Sequence, residues 1–193
     1  MSTINRASFL KALSVFLLGL TAILSYPSIS IGDEGSTSGP LSNYKLGGGD
    51  KVHILVYGEQ ELSLDAQLSD AGTILYPFLG EIKASGLTVG QLAELIANGL
   101  KGRYLVEPKV SVGIAEYRPF YINGEVKNPG AYPYQPGLTV QKAVSIAGGF
   151  SPRASRSSVI IARDKDPSHS PQEAELDATV SPGDVITVEE SFF

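Results

Sequence analysis

A chain of 193 residues with 42% hydrophobic content holds one medium domain or two small ones, each with a modest core. It has no cysteine, which excludes disulfides, thiolate metal sites and a cysteine nucleophile together. The formal net charge is −5, and from residue 31 onward 13 basic residues face 20 acidic ones, a balance of −7 that argues against binding nucleic acid through the overall field.

The chain opens on a secretory pattern. Arg6 and Lys11 precede an apolar run from Ala12 to Leu24, and small residues Ser28 and Ser30 follow, so residues 1–30 read as a signal peptide. The run is shorter than the roughly 20 residues a spanning helix needs. Tyr26-Pro27 and the lack of an A-x-A site leave an uncleaved anchor as the alternative. Residues 31–42, with GDEGSTSGPLS, are too polar to offset ordering entropy and read as a flexible leader.

A first module is expected over residues 43–116. Gly47-Gly48-Gly49-Asp50 makes a turn, and Val52, Ile54 and Val56 then alternate with Lys51, His53 and Leu55 as a half-buried strand. The three glycines are not a phosphate loop, because no Gly-Lys-Ser/Thr follows and the next element is a strand. Asp70-Ala71-Gly72 is a second turn, with short strands expected at Thr73 to Phe78 and at Gly80 to Lys83. Thr88 and Gln91 form a capping box for a helix whose apolar face is Leu92, Leu95, Ile96 and Leu100. After Gly102, Pro108 to Ala115 alternates Val110, Val112 and Ile114 with small or polar residues, a closing strand. The module boundary is expected between Glu116 and Pro119.

The second module, residues 118–193, starts with a hairpin in YINGEVKNPGAYPY, Tyr121 to Tyr134. Phe120, Ile122 and Val126 read as one strand, Lys127-Asn128-Pro129-Gly130 as a tight reversal with Gly130 at positive φ, and Ala131 to Tyr134 as the return. Thr139 caps a short helix in which Val140, Ala143, Val144 and Ala147 share a face, and Gly148-Gly149 ends it. Val159 to Ala162 is a short strand and Asp164 to Glu173 a polar loop, the segment expected to be most mobile. Ile186 and Val188 share one face of the last strand. Hairpin, helix and strand in that order are those of a β-grasp. The halves also share vocabulary: GEIK and GEVK each precede a GLTV, and GGDKVHILV and PGDVITV are both Gly-Asp entries into a strand. Spacing and order differ, so these are similar β-α modules and not a solenoid.

Chemistry is hard to find. His53 and His169 stand apart, with no metal-ligand spacing near either. Glu59, Glu61 and Asp65 lie close in sequence, but glycosidase carboxyl pairs come from separate parts of a fold around a cleft, and a clustered acidic loop reads as solvated surface. No catalytic residue, metal site or cofactor is assigned.

GEVKNPGAYPYQPGLTV with AGGF, Gly124 to Phe150, resembles the opening of the soluble-ligand-binding β-grasp (SLBB) domain of bacterial polysaccharide export proteins. Upstream, YKLGGGDKVHILVYGE, DAGTILYPFLGEIKASGLT and VEPKVSVGIAEYR resemble the polysaccharide biosynthesis/export domain of the same outer-membrane polysaccharide exporter family. The family pattern usually has proline in the turn where Gly48 or Gly49 stands. The resemblance implies an α+β chain in which a small export-domain module of strands and one helix precedes a β-grasp (SLBB) module. It also implies a non-enzymatic component of a capsular or exopolysaccharide exporter, periplasmic and associated with the outer membrane. Its expected partners are further copies of itself in a homo-oligomeric ring, an inner-membrane polysaccharide co-polymerase, and the polysaccharide. Many relatives carry an acylated cysteine and some end in a membrane-crossing helix. This sequence has no cysteine and stops at GDVITVEESFF, so a short form is expected, with a separate outer-membrane β-barrel completing the path.

Tyrosine offers sugar rings a flat apolar face and a hydroxyl, and arginine pairs with acidic groups. Tyr117, Tyr121, Tyr132 and Tyr134 around the hairpin, with Arg118, Arg153 and Arg156, are therefore candidates for contact with polymer or a neighbouring subunit; Arg163 belongs with them. Ordinary strand tyrosines and surface arginines would look the same. The alternative function is a monomeric periplasmic protein that binds a carbohydrate or small ligand on the same β-grasp surface.

Overall fold

The computed structural model describes residues 43–191. The expected signal peptide (1–30), the leader (31–42) and the final Phe192 and Phe193 lie outside the described residues.

Alternating burial builds the first sheet. In β1 (Lys51–Val56), Val52, Ile54 and Val56 are buried while Lys51 and His53 face solvent. β1 is the middle of a three-stranded antiparallel sheet, between β2 (Leu64–Gln67) and β5 (Val110–Glu116). β2 occupies part of what the sequence presents as an acidic loop. Its Asp65 is on the exposed side, where its carboxylate meets the His53 ring at 2.5 Å. β3 (Thr73–Tyr76) and β4 (Gly80–Lys83) form a separate hairpin; the first ends two residues sooner than expected, because Pro77 and Phe78 make the turn. α1 (Val89–Leu100) starts at the Thr88–Gln91 capping box, both halves of which are present. Leu92, Ile96 and Leu100 are wholly buried, each stabilising the fold by about 1.5–3 kcal/mol. Leu95, expected on that face, is instead exposed.

The second core lies on one mixed sheet of order β7-β6-β10-β8-β9. Its strands are β6 (Phe120–Gly124), β7 (Gly130–Tyr132), β8 (Ala154–Ala162), β9 (Pro171–Glu173) and β10 (Val185–Glu190). β10 runs parallel to β6 at the centre and antiparallel to β8, and α2 (Val140–Ile146) covers the sheet, which is the β-grasp arrangement. Val140, Ala143, Val144 and Ala147 are buried against Phe120, Ile122, Ile161, Ile186 and Val188. The fold is therefore α+β, with a small module of strands and one helix followed by a β-grasp module.

The hairpin differs from its sequence reading. β6 pairs with β7 as Phe120↔Tyr132, Tyr121↔Ala131 and Ile122↔Gly130, so the connection covers residues 123–129 and Gly130 belongs to the returning strand. Val126 leaves the strand and bridges to Phe150. Lys127 N donates to Gly149 O and Asn128 N to Ala147 O, so the reversal is laid along the end of α2 and needs the extra length. Positive φ falls on Gly124 (77°), not on Gly130; a Cβ there would sit 2.1 Å from Val188 O on β10. β8 begins earlier than expected, since Ala154 to Ser158 continues the strand beyond its apolar part. The polar loop ends in β9.

Candidate functional site

Each module buries one aspartate at a Gly-Asp strand entry, and a buried carboxylate needs partners for its lone pairs. Asp50 and Asp184 are both 0% exposed. Asp50 accepts from Gly47 N (2.9 Å), Arg118 N (2.9 Å), Tyr44 Oη (2.7 Å) and Arg118 Nη1 (3.1 Å). Asp184 accepts from Ser181 N (2.8 Å), Asp164 N (3.1 Å) and Arg163 Nη1 (2.9 Å). The pattern is the same in both: the amide three residues before, the amide of a distant segment, and one arginine.

Arg118 joins the two. Its Nη1 also donates to Tyr44 Oη (2.9 Å), and its Nη2 reaches across to Asp164 Oδ2 (2.6 Å) on the second module. Space for the guanidinium comes from glycines of both turns: a Cβ on Gly47 would lie 2.4 Å from Nη1, and one on Gly183 would lie 2.8 Å from Nε. Burial opposes the charge on Arg118, but Tyr44, Asp50 and Asp164 outweigh it and hold the group protonated above its usual range. Burial, helped by Asp50, pushes the Tyr44 phenol far above its ordinary value. Tyr117 completes the junction, edge-on to Tyr44 (5.1 Å) and to Tyr134 (5.2 Å).

The remaining candidates are scattered. Arg163 is engaged by Asp184 and by Thr179 O (2.6 Å). Tyr132 stacks on Phe120, and its hydroxyl donates to Asn128 O (2.6 Å). Arg153 is exposed but ion-paired with Glu190 at the sheet end. Tyr121, 46% exposed, faces solvent from β6, and Arg156 lies over the Phe150 ring at 5.8 Å. Tyr117, Arg118 and Tyr134 thus form an internal junction, while Tyr121 and Arg156 are open to a ligand.

Sequence reasoning missed an exposed apolar patch on the first module. Phe78, 65% exposed and at φ 63°, packs on Tyr104 at 5.0 Å, and Tyr104 Oη donates to Phe78 O. Positive φ is strained for so bulky a residue. The available signal was Tyr-Pro-Phe-Leu-Gly, an apolar sequence where a turn is normally polar. Among the described residues there is no group of three or more metal-ligating side chains and no helix long and apolar enough to cross a membrane.

Residues 38–115 match the family described as "Polysaccharide biosynthesis/export protein", and residues 119–172 match the SLBB domain. The "Exopolysaccharide production protein ExoF" of Rhizobium meliloti (strain 1021) is 38% identical over 131 residues, 61% of this chain and 31% of that protein. The "Polysialic acid transport protein KpsD" of Escherichia coli is 28% identical over 134 residues, 68% of this chain and 24% of that protein. The "EPS I polysaccharide export outer membrane protein EpsA" of Ralstonia nicotianae (strain ATCC BAA-1114 / GMI1000) is 28% identical over 148 residues, 61% of this chain and 39% of that protein. The matched stretches thus cover between 24% and 39% of these curated relatives.

Proposed function

The chain belongs to the polysaccharide biosynthesis/export family, and from that premise we propose that it is a non-enzymatic component of a capsular or exopolysaccharide export machine. It works in the periplasm against the outer membrane as a homo-oligomeric ring through which polymer passes. An inner-membrane polysaccharide co-polymerase feeds that ring, and a separate outer-membrane β-barrel continues the path.

The observation that carries the reading is the succession of export domain and SLBB domain on one chain, each on its own core. The Asp50–Arg118–Asp164 bridge supports it physically, because a ring held by contacts on both modules needs the modules fixed to each other. The exposed Phe78–Tyr104 patch and Tyr121 supply aromatic anchors of the kind subunit interfaces use.

Light scattering on the mature protein purified from periplasm tests the ring. The expected mass is a closed multiple of the protomer, lowered when Phe78 is replaced by serine. A monomer at all accessible concentrations, with or without added polymer, would remove the ring and favour the monomeric binding protein.

A further inference from the structure

Three neighbouring depressions share walls on the second module, two of them against the solvent side of α2. The first, about 460 Å³, is walled by Pro136, Leu138 and Ile146, with Gln135 and Lys142 among its polar lining. The middle one, about 400 Å³, shares Gln141 and Ser145 with the first and adds Lys127, Phe150 and Arg156. The third, about 530 Å³, shares Arg156 and Leu176 with the middle one and is edged by Glu173 and Glu175. Each volume falls in the range of small-molecule sites, and shared walls make them one track and not three isolated dimples.

The chemistry along the track is graded. An apolar end offers a surface for the flat face of a sugar ring. The centre brings two exposed cations, Lys127 and Arg156, beside an aromatic ring and two neutral hydrogen-bonding side chains. Among the described residues neither cation has an ion-pair partner, whereas Arg118, Arg153 and Arg163 all do. Arg156 lies over the Phe150 ring, its Cζ 5.8 Å from the ring centroid, and its guanidinium borders the depression. The carboxylates of Glu173 and Glu175 at the far end repel acids but accept hydrogen bonds from sugar hydroxyls.

We propose that this track on the SLBB module is a binding site for a linear acidic glycan. A carboxylate-bearing sugar sits between Lys127 and Arg156, an apolar ring face lies on Pro136–Ile146, and hydroxyls meet Glu173 and Glu175. The assignment rests on the export reading and names the class of polymer that the β-grasp module handles.

The test is amide chemical-shift titration of the mature protein with a short oligomannuronate and with a cello-oligosaccharide of equal length. Saturable shifts confined to residues lining the track are expected, with the neutral glycan weaker by about tenfold for each charge-assisted contact it lacks. Both replaced side chains are exposed, so the K127A/R156A protein folds, checked by circular dichroism, and loses the oligomannuronate shifts. Absence of saturable shifts in the intact protein, equal affinity for the neutral glycan, or unchanged binding by the double variant overturns the site. In cells, a deletion strain that loses export and is fully restored by K127A/R156A overturns the track and leaves the export reading standing. A deletion strain that exports normally removes the premise of both.

Discussion

Arg118 occupies a position that composition gives no reason to expect. Its side chain is 12% exposed and its counterion Asp50 is 0% exposed, so the pair has exchanged water for a fixed set of hydrogen bonds. Replacing a buried pair with apolar groups is often harmless, but removing one partner leaves a bare charge. Arg118→Met therefore destabilises the protein by about 3 kcal/mol in urea unfolding, since Asp50 keeps only neutral donors. Asp164→Asn costs about 1 kcal/mol or less, because that carboxylate is 36% exposed and screened. An Arg118→Met variant within experimental error of the parent would show that the bridge contributes nothing. At this scale the sequence was only partly legible. Arg118 was recognised as a candidate contact, but its side chain points inward. The usable signal was the pair of Gly-Asp strand entries, each of which buries a carboxylate that must find a cation.

Elements that depend on local chemistry were the readable ones. Thr88 and Thr139 cap α1 and α2 where a hydroxyl is expected to accept an amide of the first turn. β1 and β10 alternate in burial, with Val52, Ile54 and Val56 of β1 and Ile186 and Val188 of β10 turned inward. What tertiary structure decides was not readable. β2 is a four-residue Leu-Asp-Ala-Gln stretch too short to stand out from the acidic segment around it, and it is held as a strand by pairing with β1. The hairpin turn looked like a four-residue reversal at Pro129-Gly130, yet its length is set by hydrogen bonds to the end of α2. The same contrast separates two glycines. Gly124→Ala places a methyl against Val188 O and forces an alanine to positive φ, destabilising the protein by about 2–4 kcal/mol. Gly130→Ala, on an exposed strand with nothing nearer than Tyr132 Cε2 at 3.9 Å, changes stability by about 0.5 kcal/mol or less. Equal effects in thermal or urea melts would contradict the register of β6 on β10.

Across the described residues, two cores of similar construction are joined at Tyr117 and Arg118. One side of that joint is an aromatic chain of Tyr44, Tyr117 and Tyr134, and the other is the ionic bridge. Fixing the modules in this way leaves their outer faces for others: an aromatic patch on the first and, on the second, a track that carries Lys127 and Arg156 at its centre. The proposed ring would use the first of these faces and the proposed glycan site the second. The family was legible from spaced motifs because Gly-Asp turns, capping threonines and the hairpin–AGGF contact are all requirements of the backbone. The exposed surfaces were legible only at Tyr121 and Arg156, because which side chains remain unpaired is settled only by folding. The central claim, that this chain serves polysaccharide export, is met most directly by measuring extracellular polysaccharide in a strain lacking the gene and its paralogues, with and without an intact copy in trans. The account predicts that extracellular polymer disappears in the deletion and returns with the copy; secretion that continues at the parental level without the gene would contradict it.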